Sequence, residues 1–154
     1  MHLKLFTDIS LRVLIYLGRG GTDESASATV LVKKLNCSHN HLAKALSFMR
    51  QQGWVRARRG RVGGFALTEK VLEMGLGDIV RTLEGEKTLL NCDAPLCPLL
   101  TQACPLIEPL QNAREAFYAE LNRTRLCELR LQRPASAEAR VEFVPKKAGA
   151  GKPV

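Results

Sequence analysis

Three of the five cysteines of this 154-residue chain stand close together in a stretch that also contains three prolines. They are Cys92, Cys97 and Cys104, with four residues between the first pair and six between the second. These gaps are wider than the usual spacing in structural zinc sites. The prolines exclude a continuous helix, so residues 91–106, the cysteine loop, should have a restricted shape. Three thiolates on such a loop suit an iron–sulfur cluster, which ordinarily needs a fourth ligand from elsewhere.

The same thiols are compatible with other chemistry. They could be unliganded thiols in the core, or they could hold zinc together with an acidic residue. A structural disulfide is not expected. The chain opens with Met-His-Leu-Lys and has no apolar run with a cleavage signal, so we expect a cytoplasmic protein, whose thiols stay reduced.

The basic residues are concentrated in the first half of the chain. Residues 1–70 contain 12 Lys and Arg against 4 Asp and Glu, whereas residues 71–154 contain 11 against 11. The whole net charge of +8 therefore lies in the first half, as expected of a nucleic-acid-binding unit. The apolar runs are too short for a membrane helix, and we expect no membrane partner. The cysteine loop has no paired general acid and base, so we do not expect an enzyme.

The chain begins with a helix predicted from Leu3 to Leu17. Apolar residues lie on nearly all of its faces, so it should be buried on most sides. Asp8 and Arg12 are four residues apart and therefore share a face. On the pattern alone, an ion pair within the helix is the simplest interpretation of these two residues.

Two short helices joined by a tight turn are predicted next, from Ala28 to Leu35 and from His39 to Gln52. This arrangement is typical of a helix-turn-helix, whose second helix reaches base edges in the major groove with its first turns. An ordinary solvated helix face is the alternative. The candidate DNA-binding residues, including the N-cap, are Ser38, His39, Asn40, His41 and Lys44.

A two-stranded hairpin is predicted from Gly53 to Thr68, where apolar and basic residues alternate on both sides of a glycine-rich turn. Its arginines would bind phosphates or enter a minor groove, and its glycines would allow close backbone approach. Directly behind a helix-turn-helix, the hairpin predicts a winged helix-turn-helix. The wing's candidate DNA-binding residues are Arg58, Arg59, Arg61, Gly63 and Gly64, with Arg56 beside them, whereas Cys37 and Trp54 are expected in the core.

The second half contains a predicted short helix from Leu76 to Gly85, the cysteine loop and then a longer helix beginning at Pro105. The apolar stripe of the longer helix needs a partner, either the same helix of a second chain or the winged unit of its own chain. We expect a mostly helical fold with a small hairpin wing. Its parts are a DNA-binding domain over residues 1–70, the cysteine loop and dimerisation helix over 71–131, and a disordered tail over 132–154.

Several motifs in order resemble the NsrR-type iron–sulfur transcriptional repressors, a winged helix-turn-helix family that also includes IscR. They are Leu-x-x-Phe-Thr-Asp-x-x-Leu-Arg-x-Leu-x-Tyr-Leu at 3–17, Asn-His-Leu-Ala-Lys at 40–44, Arg-Arg-Gly-Arg-x-Gly-Gly-Phe at 58–65, Gly-Asp-Ile-Val-Arg-Thr-Leu-Glu-Gly at 77–85 and the cysteine loop. The resemblance extends from Met1 to about Leu129.

The resemblance implies a homodimeric repressor that binds a double-stranded DNA operator and senses nitric oxide through an iron–sulfur cluster, 4Fe–4S rather than 2Fe–2S. Cys92, Cys97 and Cys104 would be ligands. IscR-like members place a histidine where this chain has Ile107, so the resemblance implies that the fourth ligand is Asp8 of the partner subunit, with Arg12 orienting its carboxylate. A DNA-binding regulator that uses the same cysteines for zinc or as a thiol/disulfide switch is the alternative.

Overall fold

The computed structural model describes residues 2–60, 63–85, 89–90 and 104–129. Arg61, Cys92, Cys97 and the predicted tail lie outside these residues. In the described part of the chain no helix is long and apolar enough to span a bilayer.

The described residues form six α-helices, a two-stranded sheet and a final 3-10 turn. In chain order these are α1 (Leu5–Gly18), α2 (Ala28–Leu35), α3 (His39–Gln51), β1 (Val55–Arg58), β2 (Gly64–Leu67), α4 (Glu69–Leu72), α5 (Leu76–Glu84), α6 (Ile107–Leu121) and the 3-10 turn (Leu126–Leu129). This architecture confirms the predicted helical fold with a hairpin. The helix α4 was not predicted, and Pro105 lies in the turn before α6 rather than at its first helical position.

The core lies where α1, α2, α3 and the hairpin meet. Its largest fully buried side chains include Trp54, Leu14, Leu31, Leu42 and Met49. Four apolar residues of α3 are buried in this core at helical spacing, and the polar face of the helix is left to solvent. They are Leu42, Ala45, Leu46 and Met49. Trp54 is buried as predicted, and Cys37 packs at the edge of the core.

The hairpin is antiparallel, with Val55 opposite Leu67 and Arg58 opposite Gly64. The loop between α1 and α2 adds one further pair of hydrogen bonds to its outer edge. The amide of Ala26 donates to the carbonyl oxygen of Phe65 at 3.0 Å, and the amide of Phe65 donates to that of Ala26 at 2.9 Å. The base of the wing is thereby fixed to the entrance of α2.

The end of α6 is attached to α5 of the same chain. The Arg81 guanidinium lies 4.4 Å from the centre of the Tyr118 ring and forms two hydrogen bonds to the Glu115 carboxylate. The Asn122 amide both donates to the Asp78 carboxylate and accepts from the Asp78 amide, each at 2.9 Å. The beginning of α6 is more open, because Leu106 and Ile107 are exposed.

Candidate nucleic-acid interface and cluster site

The first turn of α3 presents polar side chains to solvent on a rigid helix end. The Ser38 hydroxyl accepts a hydrogen bond from the His41 amide at 3.2 Å and lies 2.9 Å from Nδ1 of the same histidine. Ser38 is therefore the N-cap that the sequence predicted. His39, Asn40 and Lys44 are exposed beside it. All five candidate residues of this helix are exposed within its N-cap and first two turns.

The arginines of the wing differ in their surroundings. The Arg58 guanidinium donates to the carbonyl oxygen of Asp23, and that of Arg56 donates to the carbonyl oxygen of Thr22 at 3.3 Å. These two arginines hold the loop before α2 against β1. Arg59 is exposed at the tip, while Arg61 lies outside the described residues.

Two glycines of the wing, Gly63 and Gly64, lie where a larger residue would not fit. A Cβ atom on Gly64 would lie 2.5 Å from the carbonyl oxygen of Ala26, so the edge pairing described above requires glycine at this position. A Cβ atom on Gly63 would lie 2.8 Å from the carbonyl oxygens of Arg58 and Gly60. Both were predicted as sites of close approach to DNA. In the protein alone, Gly63 permits a close approach within the wing, and Gly64 permits a close approach between the wing and Ala26.

Asp8 and Arg12 lie on the exposed side of α1. Arg12 Nε donates to Asp8 Oδ1 at 2.9 Å, and Arg12 Nη2 lies 2.8 Å from Asp8 Oδ2. The two side chains are 41% and 55% exposed, respectively. Within a single chain these residues thus form the intrahelical ion pair that the spacing suggested. The carboxylate remains accessible to a second partner.

Cys104 is the ligand candidate of the cysteine loop that the structure describes. Its thiol is half-buried and not in a disulfide, and it lies one turn before α6. Among the described residues no three His, Cys, Asp or Glu side chains converge as a metal site, but Cys92 and Cys97 lie outside this part of the chain. A reduced thiol and an accessible carboxylate are donors of the kind that an iron–sulfur cluster accepts.

The helix that carries Asp8 is capped by a distant residue. Glu84 Oε1 accepts hydrogen bonds from the Lys4 amide at 3.0 Å and from the Thr7 hydroxyl at 2.5 Å. The Lys4 ammonium lies 3.3 Å from the other carboxylate oxygen. Burial raises the pKa of Glu84, but the hydrogen bonds from Thr7 and Lys4 outweigh it, so this pKa lies below its ordinary value. The last turn of α5, which leads toward the cysteine loop, is thereby fixed to the first turn of α1.

A profile of the Rrf2 family, described as iron-dependent transcriptional regulators, matches residues 3–130. The chain belongs to the Rrf2 family. The resemblance seen in the sequence is confirmed by the transcriptional repressor NsrR of Streptomyces coelicolor, which is 41% identical over 126 residues, covering 79% of this chain and 83% of the relative.

Solved structures of other regulators share the fold. Staphylococcus aureus CymR in its oxidised form is 25% identical, with a TM-score of 0.65 over 84% of this chain and 96% of that one. IscR from T. potens is 17% identical, with a TM-score of 0.67 over 84% of this chain and 85% of that one. The winged helix-turn-helix prediction is confirmed, and this Rrf2 protein is a transcriptional regulator.

Two further contacts in this Rrf2 protein were not predicted from its sequence. One is the cap provided by Glu84. The signal in the sequence was the absence of Ser, Thr, Asp or Asn at the N-cap position of α1, which Lys4 occupies. The other is the contact between the Phe6 and Phe48 rings, whose centres are 5.4 Å apart with the rings nearly perpendicular. Phe48 also contacts Trp54, with ring centres 6.2 Å apart, and so joins α1 to the base of the wing.

Proposed function

We propose that this Rrf2 protein is a homodimeric transcriptional repressor whose affinity for a double-stranded DNA operator depends on an iron–sulfur cluster that reacts with nitric oxide. The family description supports dependence on iron, and the similarity to a relative named a transcriptional repressor supports the direction of regulation. The exposed polar face at the start of α3 and the exposed Arg59 support DNA binding.

Cys92, Cys97, Cys104 and the partner subunit's Asp8 would hold the cluster, in the 4Fe–4S form. When bound, such a cluster supplies iron that small molecules can reach beside a weak oxygen ligand. Asp8 suits this position because its carboxylate is exposed and its backbone is fixed in a helix. Arg12 would orient the carboxylate while it is a ligand and pair with it after release.

The observation that carries the proposal is the packing of the Asp8 helix directly on the recognition helix. Phe6 lies two residues before Asp8, and its ring contacts Phe48 of α3. A change in the position of α1 is therefore transmitted to α3 through packed aromatic rings. Two recognition helices must be about one turn of DNA apart to bind two half-sites together, so a small shift weakens operator binding. A coupling of roughly 1–3 kcal/mol would change the affinity several-fold to about a hundredfold.

The exposed apolar residues at the start of α6 support the homodimer. Leu106 and Ile107 are exposed at 58% and 39%, and both lie next to Cys104. A second copy of the helix would cover them, and the proposed Asp8 ligand requires the same dimer to bring the partner subunit's α1 to the cysteine loop.

The proposal is tested by purifying the full chain without oxygen and measuring iron, sulfide and visible absorbance. DNA binding is then measured with a duplex selected from a random pool by this protein, before and after titration with nitric oxide. We expect bound iron and sulfide, and an affinity that falls when nitric oxide is added. Protein without iron or sulfide, or with an affinity indifferent to the cluster, would contradict the proposal.

Asp8→Ala tests the role of the carboxylate. We expect the absorbance of the cluster to be largely retained and its response to nitric oxide to change. Glu128→Gln, which alters an exposed acid of the 3-10 turn, is the matched control. An unchanged response in Asp8→Ala would remove Asp8 from the mechanism.

A thiol switch is the second candidate function. It is supported by the similarity to CymR, a regulator whose structure is known in an oxidised form. Protein that is colourless and free of metal after anaerobic purification, and that loses DNA affinity on mild oxidation, would favour it. Colourless protein that contains zinc would favour a zinc site.

A further inference from the structure

A groove runs along α3 on the side that faces the wing. It has a volume of about 340 Å³ and lies between α3, the first residue of α2 and the strand β2. Its walls are mostly apolar and its rim is polar. The lining residues are Ala28, His39, Asn40, Leu42, Ala43, Leu46, Ser47, Arg50 and Phe65. None of these described lining residues is acidic.

The groove begins at the predicted base-contacting residues and ends at a cation. His39 and Asn40 lie on the first turn of α3, and Arg50 lies on its last turn, about 16 Å further along the helix at 1.5 Å per residue. Arg50 is exposed and forms no ion pair with any residue that the structure describes. A groove with mostly apolar walls, polar side chains at its rim and a cation at its end is suited to an anionic, partly apolar chain.

The groove also lies between the recognition helix and the wing, the two elements that contact DNA in a winged helix-turn-helix. When the first turns of α3 read base edges in the major groove, a phosphodiester strand must pass beside the helix toward the wing. A DNA strand matches the groove chemically, because its deoxyribose rings are largely apolar and its phosphates are negative. The excess of basic residues in this half of the chain favours the same occupant.

We propose that one sugar–phosphate strand of the bound duplex lies in this groove. Arg50 binds a backbone phosphate, and Ala28, Ala43 and Phe65 contact the sugars. The inference rests on the DNA-binding part of the proposed function. It adds Arg50 and the apolar wall to the interface, and it assigns them to positioning rather than to sequence recognition.

The proposed phosphate contact of the Arg50 guanidinium is tested with Arg50→Gln in the full chain, purified anaerobically. Binding is measured over a range of salt concentrations with the selected duplex and with an unrelated duplex of equal length. A phosphate contact contributes about 0.9 to the slope of log affinity against log salt, so a dimer should lose about 2 from its slope. The affinity should fall by a similar factor for both duplexes. Arg123→Gln, an exposed arginine of the turn after α6, should leave the slope unchanged.

The occupation of the groove by a DNA strand is tested with Ala43→Phe, which fills the groove from an exposed position on α3. Both duplexes should bind roughly tenfold more weakly or worse, the scale of a side chain forced into filled space. Glu128→Phe, at an exposed position of the 3-10 turn, is the control, and thermal unfolding verifies that both variants fold.

Normal DNA binding by a folded Ala43→Phe variant would overturn the proposal and leave the groove to another occupant. So would an unchanged salt slope in Arg50→Gln. If instead the unsubstituted protein binds neither duplex, DNA binding itself fails. The two failures are therefore distinguishable.

Discussion

Both carboxylate oxygens of Asp8 are bound by the guanidinium of Arg12, at 2.9 Å and 2.8 Å. The pair lies on a solvent-exposed helix face, where such i,i+4 pairs contribute only about 0.3–0.5 kcal/mol. Arg12 can therefore hold the Asp8 carboxylate in a defined orientation, and breaking the ion pair in favour of a stronger partner costs little free energy. This balance suits a ligand that must also be released.

The Arg12→Gln substitution should change the orientation of the Asp8 carboxylate but hardly change the stability of the fold. The free energy of unfolding should change by less than about 0.5 kcal/mol, because the pair is exposed. If Arg12 orients Asp8 as a cluster ligand, its loss should leave the absorbance of the cluster largely intact, as in Asp8→Ala, and should speed the decay of that absorbance with nitric oxide by roughly tenfold. The measurements are chemical unfolding and the decay of the visible absorbance. Arg123→Gln breaks another exposed ion pair and should leave both unaltered; identical decay in the two variants would contradict a role for Arg12.

The contact between Phe6 and Phe48 should transmit the state of α1 to α3. Phe48→Leu keeps an apolar side chain but removes the edge-to-face contact, which is worth about 0.5–1.5 kcal/mol. We expect normal cluster absorbance and a smaller difference in operator affinity between protein with and without the cluster. A double-mutant cycle with Phe6→Leu gives the control, because the two substitutions should be non-additive. Additive effects would show that the coupling takes another route.

The cap that Glu84 forms on α1 should make stability depend on pH. Its folded pKa is lowered, so its contribution is fully present above the unfolded pKa and is lost as the pH falls through the folded pKa. Glu84→Gln should therefore cost about 1 kcal/mol near pH 7, and the difference from the unsubstituted protein should shrink below about pH 4. This difference in unfolding free energy is measured by urea unfolding at a series of pH values and a single chain concentration. Glu128→Gln, at an exposed acid of the 3-10 turn, is the control measured in parallel, and a difference between Glu84→Gln and the unsubstituted protein that persisted in acid would rule out the Glu84 carboxylate as its source.

Gly64→Ala should loosen the wing from the loop before α2. Its Cβ would lie 2.5 Å from backbone atoms of Ala26, which cannot move without breaking the two hydrogen bonds to Phe65. We expect a loss of more than about 2 kcal/mol, seen by thermal unfolding followed with the fluorescence of Trp54. Gly18→Ala is the control, because its Cβ would lie 3.6 Å from a Leu67 methyl group and alanine favours a helix. Similar losses in both variants would mean that the close approach at Ala26 is not the cause.

The sequence alone determined the features that depend on neighbours in the chain. The three- and four-residue spacing of Leu42, Ala45, Leu46 and Met49 defined the buried face of α3 and hence its exposed polar face. Ser38 marked the start of that helix, and Asp8 and Arg12 were placed on one face by their separation of four. The alternation around Gly60 determined the hairpin. The ordered motifs then led to the family, and with it to the predicted ligands of the cysteine loop.

Only the tertiary structure decided which distant residues meet. Glu84 caps α1 from 80 positions away, and Arg56 and Arg58 bind carbonyl groups more than 30 positions away instead of projecting freely from the wing. The groove at Arg50 exists because α2, α3 and β2 converge. Spacing along a chain fixes which side chains share a face, because helix and strand geometry repeat locally. Which faces then come together is set by burying the core as a whole, a property that no local segment contains.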